Sequence, residues 1–244
     1  MIGKGSFGRC YKVYDDKHDE SAVIKITEDA KTFWFEMKAL IDLYGHEGLV
    51  QLTHAFSIDS YNFLVLSDEC ESVEIILERS LEERFTIENV IRIGVQLFKI
   101  IDSLHSMRYY HGDVTMGNVM LKPDVNEHLK VKLIDFGASR KSDSLTTAYL
   151  NSDYRTAVDV LFFCSGERRN SGHYDHNLEN IFPWSNIKYE ENHYLEDVLS
   201  IVQKSIFEIF DFQSAMTVFE RAIPWFDVNS PIEYRFADGQ IFVS

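Results

Sequence analysis

The sequence predicts an α+β fold in two lobes: a small antiparallel β-sheet carrying one helix, then a larger and mainly helical part. Three observations predict it. Strand-like runs are concentrated in the first 68 residues, a helical apolar period dominates beyond Ser80, and no repeat or Pro/Gly/Ser-rich linker separates the two regions. The expectation is a single domain, 1–244, with a first lobe over 1–68, a second over 69–244, and a cleft between them.

In the first lobe, residues 8–14 (GRCYKVY), 21–26 (SAVIKI), 48–56 (GLVQLTHAF) and 61–67 (YNFLVLS) are rich in β-branched and aromatic residues. Polar turns such as 15–20 separate them. Lys31–Tyr44 interrupts the strands with Phe33, Met37, Leu40 and Tyr44 at three- and four-residue spacing, an amphipathic helix. In the second lobe, Thr86–Met107 is apolar on nearly all sides and predicts a buried central helix. Residues 119–121 and 131–134 read as strands flanking a polar turn over 122–130. Helices are expected over 154–164, 194–210 and 214–222. The charged stretch 69–83 reads as a solvated face, and Trp184 and Trp225, each following a proline, as loop anchors.

Composition narrows the classes of function. The chain of 244 residues is 45% apolar and 14% aromatic, enough to fill a core rather than remain disordered. Its 24 basic and 39 acidic residues give a net charge of −15, which repels nucleic acid and anionic membranes. Such a surface accommodates a basic protein partner, although simple solubility is the plainer account. Cys10, Cys70 and Cys164 have no paired spacing, so neither a disulfide framework nor a zinc site is expected. The opening MIGKGSFGRC lacks the apolar core of a signal peptide, and runs such as Val158–Cys164 are too short to span a bilayer. The expectation is a soluble intracellular protein, in cytoplasm or nucleus.

Five signals carry chemistry. Gly3-Lys4-Gly5-Ser6-Phe7-Gly8 is followed by a strand pattern rather than a helix, so the loop joins two strands. That makes it a flap whose backbone N–H groups can approach phosphates, unlike the strand-to-helix glycine turn of dinucleotide folds. Lys25, in Ala22-Val23-Ile24-Lys25, sits among apolar neighbours and needs an anion there, or else snorkels to water from a strand edge. Glu36, flanked by Phe35 and Met37, is either the partner of Lys25 or an ordinary helix-surface charge. His111-Gly112-Asp113-Val114-Thr115-Met116-Gly117-Asn118 sets an acid and an amide five residues apart. Leu133-Ile134-Asp135-Phe136-Gly137 ends an apolar strand in a second acid. Asp113, Asn118 and Asp135 form a hard-ligand set suited to Mg²⁺.

In this order and spacing the five signals resemble the eukaryotic-type protein kinases, from about Ile2 to Gly166. The resemblance implies a kinase-like two-lobed fold binding ATP and Mg²⁺. Ile2, Gly3, Gly5, Ser6, Phe7 and Gly8 would then cover the ATP phosphates, and Lys25, held by Glu36, would contact the α- and β-phosphates. Asp113 would be the catalytic base orienting the substrate hydroxyl, Asn118 and Asp135 the Mg²⁺ ligands, and Phe136 would pack beneath the helix carrying Glu36. Cys10, Ala22, Leu66 and Leu121 would line the adenine pocket, with Ser67 and Glu69 in the hinge over 67–70. His46 is similar to a kinase loop histidine packed between lobes.

Four features depart from the family pattern. Gly112 replaces the arginine that grips an activation-loop phosphate, so activity independent of phosphorylation at Ser142, Ser144, Thr146 or Thr147 is expected. Thr115 replaces a lysine that neutralises the γ-phosphate. No Ala-Pro-Glu follows Asp135-Phe136-Gly137, and a helix led by Asp153 or Asp159 begins soon after. The chain also starts almost on the glycine loop. HGDVTMGNVML resembles the small kinase of the KEOPS complex and, in GNVML, haspin; SDYRTAVDVLFFCSG is loosely similar to vaccinia-related kinases. No subfamily follows from these.

The resemblance therefore implies a serine/threonine protein kinase acting on a protein substrate, with a basic one suited to the acidic surface and room for an activating protein partner. Neither nucleic acid nor membrane is an expected partner. Two alternatives stay open: a catalytically weak or inactive pseudokinase serving as a scaffold, and a small-molecule kinase of the aminoglycoside or choline kinase-like type.

Overall fold

The computed structural model describes residues 3–5, 8–16, 20–141, 147–167, 187–205 and 210–244. Five strands form the first sheet: β1 (Gly3–Gly5), β2 (Gly8–Asp15), β3 (Glu20–Thr27), β4 (Leu52–Ile58) and β5 (Tyr61–Ser67). All neighbours are antiparallel, in the order β1-β2-β3-β5-β4. The β2–β3 register sets Cys10 opposite Lys25, and the β3–β5 register sets Ala22 opposite Ser67.

Helix α1 (Ala30–Asp42) follows β3. Its first turn is capped by Asp29, whose carboxylate accepts from the Lys31 N–H at 2.9 Å and the Thr32 N–H at 3.3 Å. Phe33, Glu36, Ala39 and Leu40 make its buried stripe, while Trp34 and Ile41 face outward; Tyr44, expected on the stripe, lies beyond the helix end and is exposed. The strand expected over 48–56 begins only at Leu52. Residues 48–50 pair instead with Leu133: the Leu133 N–H donates to Gly48 O at 2.9 Å, and the Val50 N–H to Leu133 O at 3.0 Å. His46 braces this crossing, through Ser103 Oγ at 2.8 Å and the Gly48 N–H at 3.1 Å.

The helical lobe opens with β6 (Glu71–Ser72) and α2 (Val73–Arg79). The charged stretch 69–83 is thus not simply a solvated face: Glu69, Val73 and Ile76 are buried, and Ser72 caps α2 through the Ile75 N–H. Apolar residues at every third position, hidden among glutamates, explain why charge misleads there. Helix α3 (Ile87–Ser106) is the expected buried centre. Next come β7 (Tyr109–Tyr110), β8 (Val119–Pro123), β9 (Leu129–Leu133) and β10 (Arg140–Lys141), with β6-β8-β9 and β7-β10 forming two small antiparallel sheets. Helix α4 (Thr147–Cys164) starts seven residues before the apolar period announces it, and α5 (Tyr194–Lys204) and α6 (Phe212–Ala222) complete the bundle. Residues 206–210 of the expected 194–210 helix fall outside α5, and 206–209 lie outside the described residues.

Phe98 on α3 gathers the core, with ring centroids 5.3 Å from Tyr154, 6.1 Å from Phe210 and 5.4 Å from Phe219. Gly94 lets α3 approach its neighbours: a Cβ there would lie 2.9 Å from both Leu161 Cδ1 and Phe219 Cε1. Periodicity did not anticipate the last element, the hairpin of β11 (Tyr234–Ala237) and β12 (Gln240–Val243). Asp238 and Gly239 both take positive φ in its two-residue turn, the Asp-Gly choice for a type I′ hairpin. Trp225 is fully exposed rather than a loop anchor, and Trp184 lies outside the described residues. Among the described residues no helix is long and apolar enough to cross a membrane, and Cys10, Cys70 and Cys164 are unpaired thiols.

Candidate active site between the sheet and the helical lobe

Strand β3 and helix α1 bring Lys25 and Glu36 together beneath the sheet. Both are buried, and the Lys25 ammonium donates to both Glu36 carboxylate oxygens at 2.8 Å and to Asp135 Oδ1 at 2.6 Å. Of the two open readings, Lys25 does not snorkel and Glu36 is not a surface charge. Burial pushes the ammonium down, but Glu36 and Asp135 outweigh it and hold Lys25 above its ordinary value.

Asp135 reaches this pair because the chain turns sharply after β9. Its backbone is left-handed at φ 63°, ψ 79°, a strained region for an aspartate, and its carboxylate caps a 3₁₀ turn over Phe136–Ala138 through the Gly137 N–H at 3.2 Å. Phe136 is completely buried.

Between β7 and β8 runs the loop 111–118. The buried His111 donates from Nε2 to Ile134 O at 3.0 Å and accepts the Asp113 N–H on Nδ1 at 3.3 Å, so both partners agree on one tautomer. This joins the loop to the residue before Asp135. Asn118 Nδ2 donates to the backbone oxygen and to Oδ2 of Asp113, each at 2.9 Å. Both of its N–H groups are thus turned to Asp113, leaving Oδ1 as an acceptor. Both hydrogen bonds of Asp135 fall on its Oδ1. Three carboxylates, Glu36, Asp113 and Asp135, share the cleft with one ammonium, Lys25, and an excess of negative charge with hard oxygen donors suits a divalent cation. Among the described residues no cluster of three or more His, Cys, Asp or Glu forms a closed metal cage. A Mg²⁺ held by one carboxylate, one amide oxygen and phosphates does not need one.

Gly3 and Gly5 lie in β1, opposite Cys10 and Gly8. Gly8 has φ 142°, and a Cβ there would lie 2.5 Å from Ile26 O, so no other residue fits. Ile2, Ser6 and Phe7 lie outside the described residues. Cys10 is half-buried, and burial raises its thiol pKa. Leu66 ends the buried stripe of β5, and Leu121 is fully buried opposite Glu71. The Ser67 N–H is already committed to Gln51 O at 2.8 Å, and the Ser67 hydroxyl bonds the Glu69 carboxylate. The buried Glu69 side chain therefore turns to Ser67 and, at 3.5 Å, to Lys122.

Sequence reasoning gave Asp153 no role beyond leading a helix. It is 1% exposed and accepts from the His111 N–H at 2.7 Å, the Gly112 N–H at 2.8 Å and His105 Nε2 at 3.0 Å. Gly112, at φ 80°, makes the turn that points both amides at this carboxylate. The nearest sequence signal is an acid just ahead of the apolar period over 154–164.

Comparison with known proteins gives the family. Residues 1–180 match the protein kinase domain family. The chain is 28% identical over 170 residues to the putative dual specificity tyrosine-phosphorylation-regulated kinase 3 homolog of Drosophila melanogaster, covering 66% of this chain and 20% of that protein. It is 29% identical over 182 residues to extracellular signal-regulated kinase 2 of Dictyostelium discoideum, covering 66% and 46%. The chain thus spans between a fifth and a half of these relatives' lengths. A crystal structure of a kinase domain superposes with a TM-score of 0.59 at 18% identity, over 70% of this chain and 64% of that one, a likeness of fold. With a family match over residues 1–180 and the two-lobed fold around the Lys25–Glu36–Asp135 cluster, the chain belongs to the protein kinase domain family.

Proposed function

We propose that this chain is an ATP-dependent serine/threonine protein kinase that transfers the γ-phosphate to a protein hydroxyl. The observation that carries the proposal is the meeting of Lys25 with Glu36 and Asp135, beside the Asp113–Asn118 pair, in one cleft. Lys25, held rigid by Glu36, binds the α- and β-phosphates. Asp135 and Asn118 would hold Mg²⁺, which when bound supplies charge neutralisation on the phosphates. Asp113, oriented by Asn118 and by His111, accepts the hydroxyl proton of the substrate. Gly3, Gly5 and Gly8, with Ile2, Ser6 and Phe7, close over the phosphates. Cys10, Ala22, Leu66 and Leu121 enclose the adenine, and the main chain of the hinge from Ser67 to Glu69 hydrogen-bonds its edge.

A basic protein substrate is favoured. A groove of about 380 Å³ beside the loop 111–118 is lined by the apolar Leu77, Met116 and Phe163 and by an acidic rim in which five glutamates, among them Glu74, Glu78 and Glu82, outnumber one cation, Lys188. A Cβ added at Gly117 would lie 3.1 Å from Glu74 Oε2, so this rim abuts the catalytic loop. With a net charge of −15 the whole surface favours the same partner.

The test is radiolabelled γ-phosphate transfer with Mg²⁺ to basic proteins, comparing wild type with Asp113→Asn, Asp135→Asn and Lys25→Met. Transfer lost in all three variants supports the proposal. Label on small hydroxyl compounds alone would favour a metabolite kinase. ATP binding by wild type without transfer to any acceptor would make the protein a scaffold.

A further inference from the structure

Helix α1 ends on an acid, Asp42, and carries no basic residue in its last turn. A carboxylate at a helix C-terminus opposes the helix dipole, so its presence calls for a tertiary partner. Asp42 has two. Its Oδ2 accepts the Tyr109 hydroxyl at 2.8 Å and the Lys141 ammonium at 2.8 Å. Tyr109 is 3% exposed, and a buried phenol needs such an acceptor. Lys141 and Tyr109 are cross-strand partners in β10 and β7, and the Lys141 Nζ lies 5.2 Å from the Tyr109 ring. The three groups close a triangle. A second contact runs beside it, with the Arg140 guanidinium 5.5 Å from the Phe35 ring of α1.

This triangle joins the segments that carry the site. Asp42 shares its helix with Glu36, Tyr109 leads into the loop holding Asp113, and Lys141 follows Asp135 through the Phe136–Ala138 turn. At Gly112 there is no side chain to reach the segment after Asp135 from the catalytic loop. We propose that Asp42 is a positioning residue for phosphoryl transfer, which through Tyr109 and Lys141 latches α1 to the β7–β10 pair and so keeps Glu36, Asp113 and Asp135 in register. Lys141 and Tyr109 hold the Asp42 carboxyl below the usual carboxylate range, so the latch is charged at neutral pH. The role rests on the kinase reading above.

The test is a charge swap: Asp42→Lys, Lys141→Asp and the double variant. Asp42→Asn serves as the mild variant, because it keeps an acceptor for Tyr109. A cation at position 42 suits the helix end, so the swap carries no dipole penalty. Each single reversal should lower kcat about tenfold, the effect of losing one charge-assisted contact that holds the elements of the site in register. KM for ATP should stay within about twofold, because Asp42 does not touch the nucleotide cleft. The double variant should recover kcat. Single reversals with wild-type kcat, or a double variant no better than either single, would overturn the proposal. Amide exchange at residues 109–110 and 140–141 separates this failure from failure of the kinase reading. If wild type transfers no phosphate, faster exchange in the singles with recovery in the double still supports the latch, and unchanged exchange refutes it.

Discussion

Replacing Asp153 by alanine should be among the most damaging single changes in this protein, although the residue touches no part of the proposed nucleotide site. Its carboxylate is 1% exposed and receives three hydrogen bonds, at 2.7, 2.8 and 3.0 Å. Asp153→Ala removes the acceptor and strands the buried His111 backbone N–H and the largely buried His105 Nε2, while the exposed Gly112 can turn its N–H to water. Each unsatisfied buried donor costs about 1–3 kcal/mol. Partial relaxation keeps the total below a simple sum, so the expected loss is about 3–5 kcal/mol, as for breaking one side of a buried charged contact. Against a typical domain stability of about 5–15 kcal/mol, the variant folds but is marginal. Urea unfolding should show the midpoint falling by roughly 1–2 M. Asp153→Asn keeps one acceptor oxygen but turns an NH₂ toward a second donor, so it should fall between alanine and wild type. A loss under about 1 kcal/mol for Asp153→Ala would refute the reasoning, because the buried His111 and His105 donors would then have another acceptor.

Three further outcomes are expected. Phosphatase treatment should leave transfer activity unchanged, since Gly112 offers no arginine to grip a phosphate at Ser142, Ser144, Thr146 or Thr147; lost activity would contradict this. Phe98→Ala should cost about 3–5 kcal/mol by opening a cavity among Tyr154, Phe210 and Phe219, measurable by the same urea titration. The Asp42 carboxyl is held below its ordinary value of 3.8 by Lys141 and then Tyr109, so its contribution is fully present above that pH and lost as pH falls through the lower folded value. The stability gap between wild type and Asp42→Asn should therefore be constant near neutrality and close in acid. Thermal unfolding across that range checks it, and a gap that persisted below the folded value would count against the contact.

Several features were legible in the sequence because they are local. The alternation in 61–67 and the stripe of Phe33 and Leu40 depend only on which face of one element is buried, and β5 and α1 carry them. The two-lobed α+β architecture was likewise legible from the change of period along the chain, and the site residues were named from motif order. Where long-range hydrogen bonds compete with local pattern, reading the sequence failed. Residues 48–50 have strand composition but bond to Leu133, and α2 hides Val73 and Ile76 among glutamates.

Taken alone, the sequence determined the kinase motifs, the buried central helix and the acidic surface, since each follows from residue identity and spacing. Only the tertiary structure decided that Lys25 meets both Glu36 and Asp135 and that Asp42 joins Tyr109 to Lys141. It alone decided, too, that Asp153 carries the turn at Gly112. The physical reason is common to all three. A charge states what it needs, but its partner lies tens of residues away, and no local pattern records which of 39 acidic side chains the fold delivers to it.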